Sequence, residues 1–183
     1  MLVVDDEPEV HNVTRLALDT FTFEGRTLEL LHANSGAQAR DLIVQHPDVA
    51  LILLDVVMES DTAGLDFVHY VREDLGDHTV RIVLRTGQPG SAPEFEVSRQ
   101  YEVNDYRNKT ELTFHSLSAA VHRALSAYRD LKRLGSNQQR LEQIIEAWCG
   151  QVEEMVRRRI SALHKAQESA HHAPPSRPAT TPP

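Results

Sequence analysis

The spacing of apolar positions changes along the chain, and each change predicts an element. Leu2-Val3-Val4 and Ala50-Leu51-Ile52-Leu53-Leu54 are apolar without alternation, as expected of strands buried on both faces of a parallel sheet. Between them, Asp5-Asp6-Glu7-Pro8 suits a helix start, because acidic groups and proline are favoured in a first turn. Val10, Val13, Leu16, Ala17 and Phe21 follow at close to helical spacing and are the expected inner face. A second strand is predicted over 28–33, after a turn at Gly25-Arg26. Ser35 is suited to cap a helix over 36–45, with Ala37, Leu42 and Ile43 inward and Pro47 as the stop. The buried strand over 50–55 leads into a polar loop over 59–64. Beyond it the pattern predicts a helix over 65–75 carrying Leu65, Val68, Val71 and Arg72, and a fourth strand over 80–85. A short helix over 94–100, a fifth strand over 102–106 and a long amphipathic helix over 112–134 follow.

Strand and helix thus alternate five times, which predicts an α/β fold with a doubly wound, five-stranded parallel sheet. Gly135-Ser136 interrupts the helical pattern, so residues 1–134 are expected to form one domain. Leu141, Ile145, Trp148, Val152 and Met155 then recur at alternating four- and three-residue steps, a candidate coiled-coil seam within a helical extension over 135–170. Residues 171–183 are rich in His, Ala, Pro, Ser and Thr and are expected to be a disordered tail.

Charge and composition narrow the function. A formal net charge of -8 gives no basic face for DNA or RNA. No stretch matches a membrane span or a signal peptide, and the single cysteine, Cys149, cannot form an internal disulfide, so a cytoplasmic protein is expected. The chain enters a strand at its second residue, so either a natural start further upstream or a clipped first strand is expected.

The predicted strand ends carry matching chemistry. The first strand ends in Asp5-Asp6, the third in Asp55 and the fourth in Thr86, with Lys109 just beyond the fifth. In a parallel sheet these ends share one edge, where ligands bind in open α/β folds. Clustered carboxylates repel one another unless a cation joins them, and an all-oxygen set favours Mg²⁺. A lysine and a hydroxyl beside such an ion can hold phosphoryl oxygens, so the chemistry indicated is phosphoryl transfer onto a carboxylate.

In this order, Asp-Asp, central Asp, Thr, and an aromatic three residues before Lys, the sequence resembles the receiver domain of two-component response regulators over about residues 1–134. The resemblance implies a flavodoxin-like receiver fold with Asp55 as phosphoacceptor. It implies that Asp6 binds Mg²⁺ directly and Asp5 largely through water, with the Val57 backbone carbonyl as a further ligand. Lys109 would pair with the phosphoryl group, and Thr86 and Tyr106 would form the switch that carries the change to the surface. The implied partners are a sensor histidine kinase or phosphotransfer protein and an unknown output protein. A homodimer through the fourth and fifth helices or the C-terminal helix is a further expectation, while DNA binding and membrane insertion are not expected. The chain would catalyse its own phosphorylation and slow dephosphorylation without being a turnover enzyme. A phosphohydrolase of the haloacid-dehalogenase type would need a second aspartate where Val57 stands. Thr110 and Glu59 replace prolines that are frequent in receivers, and Glu59 is placed to compete with or supplement the metal ligands. Leu84-Arg85-Thr86-Gly87-Gln88-Pro89-Gly90 and the stretch over 104–110 resemble a receiver subgroup that often precedes a sensory or cyclic-dinucleotide-related output domain. No output domain is expected after residue 134 here, so output through a protein contact is expected.

Overall fold

The computed structural model describes residues 1–86, 105–108 and 114–171, with side chains for 1–85 and 115–165. Along the chain the strands are β1 (Leu2–Val4), β2 (Thr22–Phe23), β3 (Arg26–Thr27), β4 (Leu31–Ala33), β5 (Leu51–Asp55), β6 (Arg81–Thr86) and β7 (Asp105–Asn108). The helices are α1 (Pro8–Leu18), α2 (Gly36–Gln45), α3 (Ala63–His69), continued by a π-helical turn over Tyr70–Asp74, and α4 (Phe114–His171).

Five strands form one parallel sheet in the order β4-β1-β5-β6-β7. The central strand β5 is buried at every residue, because its neighbours β1 and β6 cover its edges and helices cover both faces. Alternate residues supply two cores. Ile52 and Leu54 pack with Leu2, Val4, Ile82, Leu84, Phe67 and Val68 on one face. Leu51 and Leu53 pack with Leu18, Val83, Leu117 and Val121 on the other. The uninterrupted apolar pattern of β5 is thus the signature of a strand with no solvent-facing side. The doubly wound, five-stranded parallel sheet read from the sequence is the observed architecture, with a helical C-terminal extension.

Local chemistry accounts for several boundaries. The Ser35 hydroxyl accepts from the Gln38 N–H at 3.2 Å, capping α2 where the sequence placed it. The predicted second strand is shorter, and an antiparallel hairpin of β2 and β3 precedes it. Its two-residue loop, Glu24-Gly25, has φ of 49° and 78°, the left-handed pair that a right-twisted hairpin requires. The inner face of α1 differs from the apolar reading: His11, Thr14 and Leu18 are buried, whereas Val13 and Leu16 are 63% and 71% exposed. Polar partners at the sheet edge turn the helix, as described below.

Helix α4 runs unbroken through Gly135-Ser136. One glycine costs a helix interior about 1 kcal/mol, which the good helix formers on both sides outweigh. The chain divides into two units, Met1–Leu134 and Gly135–Pro183. Within the second, Leu141, Ile145, Trp148, Val152 and Met155 are all exposed, as are Ile144, Val156, Ile160 and Leu163. No described helix is long and apolar enough to cross a membrane. The short helix predicted over 94–100 and nearly all of the tail over 171–183 lie outside the described residues.

Candidate functional site

The carboxyl ends of β1 and β5 lie side by side, since Val4 is in register with Leu54. Asp5 continues β1 by one residue, with its N–H bonded to the Ala33 carbonyl at 3.1 Å, and its side chain is fully buried. Its Oδ1 accepts from the Glu7 N–H at 3.0 Å, forming the turn that releases the chain into α1. Asp6 and Glu7 are exposed at this turn. Asp55, the last residue of β5, is 2% exposed. Carboxylate oxygens of Asp5, Asp6, Glu7 and Asp55 all lie within 4.8 Å of one another. This all-oxygen donor set fits a hard divalent cation such as Mg²⁺.

The loop after β5 is held close by its backbone. The Val56 N–H donates to the Arg85 carbonyl at 3.2 Å, and the Gly64 N–H donates to the Val56 carbonyl at 3.1 Å. A Cβ on Gly64 would overlap the Asp55 carbonyl oxygen and stand 2.8 Å from the Val56 Cα. Glycine is therefore required for α3 to start against the strand end. Val57 lies in this loop with its side chain 42% exposed. Glu59 is not among the clustered carboxylates: its Oε1 accepts from the Gly36 N–H at 2.8 Å, at the positive end of α2.

Two features were missed by sequence reasoning. Glu7 joins the carboxylate cluster; its signal was adjacency to Asp5-Asp6. Arg85 is the second. It is in register with Asp55 across β5 and β6 and is 3% exposed. Its Nη2 donates to Asp5 Oδ2 at 3.2 Å, and its Nη1 donates to the Thr14 hydroxyl on α1 at 3.2 Å. Burial pushes the guanidinium below its usual range, opposed by the carboxylates of Asp5, Asp55 and Glu7. A charge ending an apolar strand was the only sequence signal for it.

The inner face of α1 completes the surroundings. His11 Nε2 lies 2.8 Å from the Asp5 carbonyl oxygen, which can only accept, so that nitrogen carries the proton. Its Nδ1 lies 2.9 Å from Nδ1 of His32 on β4, so one of the two nitrogens donates to the other. Burial, then the neighbouring His11 and Arg15, hold His32 below its ordinary value of 6.5.

The strand β6 brings Thr86 to the same sheet edge, and Tyr106 lies on β7 in register with Leu84. Their side chains, and Lys109, Gln88 and Thr110 altogether, lie outside the described residues.

A five-stranded parallel sheet ending in this carboxylate cluster is the fold of CheY-like receiver domains, and the chain carries that fold. A response regulator receiver domain from Methanospirillum hungatei JF-1 aligns with a TM-score of 0.58 and 22% identity, covering 70% of this chain and 95% of that one. The receiver domain of an HD domain-containing protein from Pseudomonas fluorescens Pf-5 aligns with a TM-score of 0.62 and 17% identity, covering 72% and 90%. In sequence, the chain is 48% identical over 147 residues to 3'3'-cGAMP-specific phosphodiesterase 2 of Vibrio cholerae, spanning 80% of this chain but 28% of that relative's length. No family model matches the chain. The expectation that the chain is not a turnover enzyme is contradicted by the Vibrio relative, which is named as a phosphodiesterase. The physical reason is that a carboxylate cluster at strand ends says nothing about catalytic groups elsewhere.

Proposed function

We propose that the chain is the receiver segment controlling a cyclic-dinucleotide phosphodiesterase, with Asp55 as phosphoacceptor. The convergence of four carboxylates within 4.8 Å where β1 and β5 end supports the phosphoacceptor, and the 48% identity to a named phosphodiesterase supports the output. A carboxylate oxygen of Asp55 attacks the phosphorus of a phosphohistidine on a sensor histidine kinase or phosphotransfer protein. The P–N bond breaks, an acyl phosphate forms, and the histidine nitrogen leaves with a proton from solvent. Asp6, Asp55 and the Val57 carbonyl would hold Mg²⁺, with Asp5 acting through water and Glu7 beside them. Bound there, Mg²⁺ supplies positive charge opposite the phosphoryl oxygens. Lys109 pairs with the phosphoryl group and Thr86 donates to it. Tyr106 passes the change to the fourth and fifth helices of the receiver. Self-association through that face or the C-terminal helix, and phosphodiesterase activity toward 3'3'-cGAMP, are the outputs this reading assigns.

Acetyl phosphate with Mg²⁺ is expected to label the wild type and not Asp55→Asn, read by intact mass. Hydrolysis of 3'3'-cGAMP by the longer gene product is expected to change with acetyl phosphate in the wild type alone. Equal labelling of both proteins would remove Asp55 as the acceptor. Hydrolysis indifferent to acetyl phosphate would remove the regulatory link.

A further inference from the structure

Arg85 has no role in the phosphoryl transfer proposed above. Its guanidinium is buried against Asp5 and Thr14, at the last position before Thr86 and in register with Asp55. Asp5 Oδ2 accepts from Arg85 and its Oδ1 accepts from the Glu7 N–H. Both oxygens of Asp5 are therefore engaged by donors of the protein itself, while Asp6 and Glu7 face solvent. The guanidinium is permanently protonated. It places one fixed positive charge among the four carboxylates before any ion arrives.

We propose that Arg85 is the resident counter-ion of the carboxylate cluster: it holds Asp5 back from direct coordination, relieves repulsion in the ion-free site, and weakens divalent-ion affinity. This rests on the cluster being a divalent-ion site. Arg85 is a positioning residue, because it reaches an ion only through Asp5 and through its charge. An arginine that merely packed α1 against β6 would leave ion affinity unchanged when replaced.

Magnesium chloride titrated into the full chain, followed by calorimetry, tests the idea in Arg85→Gln, Arg85→Met, Arg85→Lys and Thr14→Val. Removing the positive charge that sits on Asp5 is expected to tighten Mg²⁺ binding about tenfold or more in the Gln and Met variants. Arg85→Lys keeps the charge, and Thr14→Val removes only the bond to α1, so both are expected to stay near the wild-type affinity. Thermal denaturation in EDTA and in saturating magnesium chloride gives a second readout, since an ion that binds only the folded state stabilises it. Mg²⁺ is expected to raise the melting temperature of the Gln and Met variants more than that of the wild type. Variants that unfold in EDTA but fold with Mg²⁺ support the proposal, and failure to fold in both overturns it. Equal or weaker Mg²⁺ binding in Gln and Met also overturns it, with the proposed function intact. A wild type that binds no Mg²⁺ at millimolar concentration overturns the ion site and this inference together.

Discussion

At Gly64 the fold leaves room for a hydrogen atom and nothing larger. The residue opens α3 directly on the carbonyl oxygen of Asp55, and its own N–H bonds to Val56. An alanine there must push either α3 or the end of β5 aside. Gly64→Ala is expected to lower stability by about 2 kcal/mol or more, read as a lower midpoint in urea, and to reduce acetyl phosphate labelling of Asp55. An unchanged midpoint would mean that the loop yields without cost. Glu59 shows a neighbouring residue with a different task from the one its charge suggested. Bonded to Gly36, it ties the loop after β5 to the start of α2. The choice between metal ligand and helix-end partner depended on where α2 begins in space, which residue type alone does not specify.

Among the elements, β5 and α2 were legible because their information is local. An unbroken apolar run ending on Asp55 and a serine ahead of a helical pattern each need only near neighbours. Helix α1 was legible in its position but not in its facing. Its buried His11 and Thr14 answer to Asp5 and Arg85, and the Arg85–Asp5 pair joins residues 80 positions apart. The β2–β3 hairpin escaped for a related reason: Glu24 adopts a left-handed conformation that its residue type seldom signals. Helix α4 errs in the opposite direction, because glycine is a weak breaker once propagation is under way. Nothing lies within 4 Å of a Cβ built on Gly135. Gly135→Ala is therefore expected to stabilise α4 by about 0.5–1 kcal/mol, seen as a higher melting temperature by circular dichroism at 222 nm; a fall would show that the position needs glycine's freedom.

For the molecule as a whole, the parallel order of strands and the carboxylates at their ends were readable from alternation and strand-end chemistry. The similarity to a named phosphodiesterase was not, because nothing in a cluster of strand-end carboxylates encodes a phosphodiesterase's chemistry. Trp148 is the single tryptophan and is 69% exposed in the second unit, so its fluorescence reports on the helical extension. If that extension self-associates, emission is expected to move to shorter wavelength as protein concentration rises, and further with beryllofluoride. Emission independent of both would exclude the exposed face of α4 as a dimer contact. The polar inner side of α1 carries one more consequence. Oily contacts let a helix slide by a fraction of a turn at little cost, whereas bonds from His11 to the Asp5 carbonyl and from Thr14 through Arg85 to the Asp5 carboxylate fix its heading. A displacement of Asp5 is therefore expected to carry α1 with it, through His11 on one side and Arg85 on the other.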